Sequence, residues 1–162
     1  MAFQNIVIFD LDETIVNSAH RTPNHPDGTL NLPVYLKMKT RENTMKDTLH
    51  PMADVWRSLD LSKTYVIVCT ARTWLDFDQE FLDIHGLKAH KILHRAANGS
   101  ENHSPDAQLK NKWLNRVLNL RQFKNLPTVM FDDAKKVITS IRQKGIPCLN
   151  AVKINQQLRV YL

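Results

Sequence analysis

A chain of 162 residues, 43% of them hydrophobic, suits one folded domain with a real core and excludes a disordered tract. Its 22 Lys and Arg outnumber 16 Asp and Glu, and the resulting +6 fits a phosphate-rich partner such as nucleic acid as well as it fits plain solubility. Two cysteines outside any CxxC pair, and no apolar run long enough for a signal sequence or a membrane span, predict a reduced, cytoplasmic protein.

The first predicted strand covers residues 5–10, in "NIVIFDLDETIV", and runs straight into Asp10, Asp12 and Glu13. Residues 17–50 are polar, hold Pro23, Pro26 and Pro33, and predict a loop with a small hairpin-like excursion over the carboxyl edge of a sheet. Apolar residues at helical spacing then mark a helix over 51–61. A strand over 65–70 ends in "VIVCTAR", and a helix over 74–86 stops at Gly86. A short strand over 91–93 leads into a polar loop over 95–103. The next helix opens with Ser104 and Pro105 and carries Leu109, Trp113, Leu114, Val117 and Leu120 as its inner stripe. A strand over 128–132 ends in "FDDA", a helix follows to Gly145, and a last strand covers 148–152.

Three of these strands are apolar almost without alternation, which marks burial on both faces. The β-α-β alternation predicts an α/β fold, an open doubly wound parallel sheet flanked by helices. Sites in such sheets lie beyond the carboxyl ends of the strands. Asp10, Thr70, Asp132 and Asp133 all stand there, far apart in sequence and together at one edge.

Their chemistry suits phosphoryl transfer. Four aspartates repel one another, and a divalent cation such as Mg²⁺, which takes carboxylate and phosphate oxygens, resolves that repulsion. One aspartate can then attack phosphorus while a second moves protons. Thr70 offers a hydroxyl to a phosphoryl oxygen. Lys110, in the first turn of its helix and off the inner stripe, can offset negative charge. Taken singly, each has a plainer reading: Asp132 and Asp133 as helix caps, Thr70 as a strand residue, Lys110 as a solvated lysine. Trp56 and Trp113 read as core, and Trp74, after "TAR", as a residue near the site. His90 and His94 do not form a zinc pattern.

"DLDET", a strand-end Thr, a Lys at a helix start and a strand-end "DD", in this order, resemble the haloacid dehalogenase (HAD) superfamily of phosphatases. The resemblance implies a HAD-like Rossmannoid domain over 1–162 with no large cap domain. It makes Asp10 the nucleophile and Asp12 the acid/base. Mg²⁺ would be held by Asp10, the main-chain carbonyl of Asp12, Asp132 and Asp133. A closer likeness is to the 3′-phosphatase domain of phage-type polynucleotide kinase-phosphatase. Arg21, Arg72 in "TAR", Arg95 in "HRAANG" and Asp106 fall where that family has residues that grip the phosphate or brace those that do. Thr70 stands where the phage enzyme has Ser, and Glu13 where it has Gly.

The resemblance implies an aspartyl-phosphate phosphomonoesterase acting on nucleic acid ends (DNA or RNA), a polynucleotide 3′-phosphatase. Capless phosphoprotein phosphatases, which share "DLDET", and small 5′(3′)-nucleotidases stay open as alternatives, as does a binding module on a decayed phosphatase fold. No membrane partner is expected. With four glycines and no G-x-x-x-x-G-K-[ST], neither is an ATP-binding kinase module.

Overall fold

The computed structural model describes residues 2–96 and 103–161. Five parallel strands form the main sheet: β1 (Asn5–Phe9), β4 (Thr64–Thr73), β5 (Lys91–Arg95), β6 (Thr128–Asp132) and β7 (Cys148–Asn150), in the order β5-β4-β1-β6-β7. The apolar runs become the three inner strands. Ile6 and Ile8 face one core with Ile67, Cys69 and Met130, whereas Val7 and Phe9 face a second with Val66, Val68 and Phe131. This is the period-two alternation of a strand, with both faces covered.

Helices α5 (Asp106–Leu118) and α6 (Lys135–Gln143) cover the first face through Leu109, Trp113, Leu114, Val117, Val137, Ile138 and Ile141. Helices α3 (Met52–Arg57), α4 (Asp76–Ile84) and α7 (Ala151–Val160) cover the other. There Phe9 stacks between Trp56 and Phe131, with ring centroids 5.1 and 5.6 Å apart. Truncating Trp56, which is fully buried, would cost about 3–5 kcal/mol. All pairings in this sheet are parallel, so every strand's carboxyl end reaches the same rim.

Two expectations need correction. The last strand stops at Asn150, whose side chain accepts from the Val152 amide at 3.0 Å and starts α7. Ala151, Ile154 and Leu158 then meet the core at helical spacing, and this packing overrides the strand reading of 151–152. The excursion is also more ordered than a loop. Its ends pair as the antiparallel strands β2 (Val16–Asn17) and β3 (Thr48–Leu49), and between them lie α1 (Leu32–Met38) and α2 (Arg41–Met45). Both helices are capped, by Asn31 and by Thr40. Arg41 of α2 pairs with Glu80 of α4.

Candidate active site

Strand β1 aims Asp10 at the rim, where its amide donates to the Phe131 carbonyl at 3.0 Å. The chain then turns at once. The carbonyl of buried Leu11 accepts from the amides of Thr14, Ile15 and Val16 at 3.1, 2.9 and 2.9 Å. Glu13 takes φ 61°, a left-handed conformation that glycine adopts freely and glutamate rarely does. This turn lets Asp10 and Asp12 serve one site despite their spacing.

Asp10 is buried and held from both sides. Lys110 of α5 donates to its Oδ1 at 2.9 Å and Thr14 donates to its Oδ2 at 3.1 Å. Lys110 also donates to Oδ2 of Asp132 at 2.7 Å, while Oδ1 of Asp132 accepts from the Ala134 amide at 2.9 Å. Oxygens of Asp10, Asp132 and Asp133 gather within 4.8 Å of one another. Lys110 is thus shared by Asp10 and Asp132, and Asp133 adds a third carboxyl group beside them.

The electrostatics follow. Burial raises the Asp10 pKa well above the usual carboxylate value, and Asp132 and Asp133 push it further against the pull of Lys110. Burial also raises Asp133. Burial works against the Lys110 charge, but Asp10 and Asp132 outweigh it and hold the ammonium protonated. The donor set, all hard oxygen and carrying excess negative charge, fits a divalent cation such as Mg²⁺.

Asp12 belongs to a different network. Arg72 donates to its Oδ1 at 2.6 Å and to its Oδ2 at 2.9 Å, and Ser18 donates to Oδ1 at 2.8 Å. Burial would raise the Asp12 pKa, yet these contacts outweigh it and hold the carboxyl well below the usual range. Arg72 reaches on to Asp78 at 3.0 Å and lies 3.7 Å from Asp47. Asp47 is itself gripped by both ends of the Arg21 fork, at 2.9 and 2.8 Å, and lies 2.7 Å from His20.

The strand-end residues expected to converge therefore do so. Register sets Asp10 level with Asp132, and Thr70 one step beyond it on β4. Thr70 is fully buried, and its hydroxyl accepts from the Arg72 amide at 3.2 Å. The arginines brace as much as they reach out. Arg21 is spent on Asp47. Arg95 joins the Ala71 carbonyl at 2.9 Å, the Ser104 carbonyl at 2.8 Å and Asp106 at 2.6 Å, tying the start of α5 to β4. Most of the loop after β5 lies outside the described residues.

Sequence reasoning missed Thr14, Ser18, Asp47 and Asp78. Thr14, four residues past Asp10 inside the motif, could have been found. Asp47 and Asp78 carry no local sign of burial; Asp78 looks like an ordinary first-turn acid and does accept from the Leu75 amide at 2.8 Å. Cys69 lies just below the site, where burial pushes its thiol up to about 12 and removes it as a nucleophile. Trp56 and Trp113 are core, and half-buried Trp74 stacks on His94 at 6.0 Å.

Known proteins share this plan. A family model described as Bacteriophage T5 5'-deoxynucleotidase matches residues 1–162. The 5'-deoxynucleotidase of Escherichia phage T5 is 28% identical over 173 residues, covering 96% of this chain and 70% of that protein. Among solved structures, one from the Pnkp1/Rnl/Hen1 RNA repair complex superposes with a TM-score of 0.69 at 20% identity, over 91% of this chain but only 42% of the other. A haloacid dehalogenase-like hydrolase from Streptococcus pneumoniae gives 0.63 at 14% identity, over 94% and 90% of the two chains. A HAD-superfamily hydrolase from Geobacter sulfurreducens gives 0.60 at 12%, over 90% and 88%. The fold is that of the HAD superfamily. Among the described residues, no helix is long and apolar enough to cross a membrane.

Proposed function

The chain belongs to the Bacteriophage T5 5'-deoxynucleotidase family, and from that membership and the geometry of its site we propose that it is a Mg²⁺-dependent phosphomonoesterase acting on deoxynucleoside 5′-monophosphates. The observation that carries this reading is the buried set of Asp10, Asp132 and Lys110, with half-buried Asp133 beside it, at the rim of a family-matched chain. The family shifts the weight from a polynucleotide end, the leading expectation from sequence, to the small nucleotide kept there as an alternative.

Asp10 is the nucleophile. Its carboxylate forms a bond to phosphorus as the bond from phosphorus to the ester oxygen breaks, leaving an aspartyl-phosphate. Asp12 protonates the departing oxygen, then takes a proton from the water that attacks the aspartyl-phosphate. That attack frees inorganic phosphate and restores Asp10. Arg72 keeps Asp12 anionic in the free enzyme, so the first proton arrives with the substrate, as a phosphate monoanion whose second pKa is about 6. Lys110 steadies the nucleophile and offsets the charge of phosphate and carboxylates. Thr70 is assigned the phosphoryl oxygen nearest β4. Asp10, Asp132 and Asp133, with the main-chain carbonyl of Asp12, would hold Mg²⁺, which supplies positive charge to the phosphoryl oxygens. Arg21, Arg72, Arg95 and Asp106 brace this arrangement, with Arg72 nearest to the substrate.

A second reading, removal of a 3′-phosphate from a polynucleotide, draws support from the net charge of +6. Comparing a deoxynucleoside 5′-monophosphate, a nucleoside 3′-monophosphate, 3′- and 5′-phosphorylated oligonucleotides and a phosphopeptide, each with Mg²⁺, tests both. Preference for the 5′-mononucleotide is expected. Preference for the 3′-phosphorylated oligonucleotide favours the second reading, and turnover of none of them overturns both.

A further inference from the structure

Lys39 follows α1, and its ammonium donates to the carbonyl of Thr73, at the carboxyl end of β4. Among the described residues no carboxylate comes within salt-bridge distance of it. Tyr35 stands four residues earlier, on α1, half-buried. The charged groups that weigh on these two side chains are Asp12, Arg72, Arg21 and Asp78. Those that weigh on Asp10 are Lys110, Asp132 and Asp133. Thr73 directly follows Arg72, whose guanidinium holds Asp12, so the carbonyl that Lys39 reaches belongs to the segment on the Asp12 side of the site.

On the reading of Asp12 as the proton donor, its side is where the leaving oxygen and everything attached to it must lie. We propose that Lys39 and Tyr35 form the subsite for the leaving group, and that this group is an unphosphorylated nucleoside. The Lys39 ammonium donates to an acceptor on the nucleoside, and the Tyr35 ring lines its path. Charge decides the class of ligand. Arg21, Arg72 and Lys39 stand against Asp12, Asp47 and Asp78, three cations to three anions. A balanced subsite has no surplus positive charge for a second phosphate, whether of a bisphosphate or of the next link in a polynucleotide. A lone ammonium facing a neutral polar group still gains a charge-assisted hydrogen bond.

Two esters separate this subsite from the chemistry beside it: a deoxynucleoside 5′-monophosphate, and phenyl phosphate, whose leaving group has a ring but no further acceptor. The quantity is the ratio of their kcat/KM values, which does not depend on how much of a variant is folded. In Lys39→Met, which keeps the aliphatic stem, that ratio falls at least about tenfold, as expected for a lost hydrogen bond to a charged donor. Lys39→Arg recovers part of it. A ratio within about threefold of the wild-type value in Lys39→Met overturns the proposal. Wild-type protein that hydrolyses neither ester removes the phosphatase reading and this one with it, whereas an active wild type with an unmoved ratio removes this one alone.

Discussion

Arg72 donates to both carboxylate oxygens of Asp12, from Nη2 to Oδ1 at 2.6 Å and from Nε to Oδ2 at 2.9 Å. The planar fork matches the carboxylate edge to edge, and Asp78 and Asp47 keep the guanidinium from turning. Arg72→Lys preserves the charge but offers a point donor in place of a fork. It is expected to lower kcat/KM roughly a hundredfold through misplacement of Asp12. Arg72→Met, which takes the guanidinium from Asp12 and from buried Asp78, is expected to lose about 3–5 kcal/mol of stability in urea melts.

The acidic cluster predicts a stability that depends on metal and on pH. Burial raises the pKa of Asp10 and Asp133 in the folded state, so the folded protein binds protons that the unfolded chain has released. Metal-free stability should therefore fall as pH rises from the ordinary carboxylate range towards those raised values. Asp12 acts in the opposite sense: its lowered pKa adds stability that is complete above the ordinary range and is lost on acidification below it. At neutral pH, Mg²⁺ at a hundred times its Kd should add about 2.7 kcal/mol. Asp10→Asn should raise the metal-free melting temperature and shrink the Mg²⁺ increment. Equal Mg²⁺ stabilisation of wild type and variant would remove Asp10 from the metal site.

Glu13 offers a test of backbone strain against contact. Its φ of 61° costs a non-glycine residue about 1 kcal/mol. Its side chain returns part of this by accepting from the Ser18 amide at 3.1 Å and meeting His50 at 3.3 Å. Glu13→Ala keeps the strain and loses both contacts, whereas Glu13→Gly loses the contacts and the strain together. The glycine variant should be the more stable of the two by about 1 kcal/mol in denaturant melts.

Much of this was open to reading in the sequence, and the reasons are physical. Buried strands are apolar on both faces, so IVIF, YVIVC and TVMF announced the parallel sheet, and its topology then brought Asp10, Asp132 and Lys110 together. What stayed hidden depends on which distant groups meet. Asp47 and Asp78 become buried partners only because Arg21 and Arg72 reach them from other segments. Helix α7 carries an apolar stripe that is thin and broken by Asn155, a polar residue buried because it bridges the Met52 amide and the Thr14 carbonyl, each at 2.9 Å. Lys39 and Tyr35 sit in a segment whose prolines and polarity suggested a loop over the rim; the helix that carries Tyr35, and the reach of Lys39 to the Thr73 carbonyl, show only in the fold.

The account rests on phosphoryl transfer to Asp10, and mass spectrometry of acid-quenched enzyme tests it most directly. Protein mixed with a deoxynucleoside 5′-monophosphate and Mg²⁺, then quenched within the first turnover, should carry a phosphoryl group on the peptide that contains Asp10. Asp10→Asn should carry none and release phosphate at least roughly 10⁴-fold more slowly. A folded Asp10→Asn protein that turns over at the wild-type rate, or a phosphoryl group found on any other residue, would contradict it.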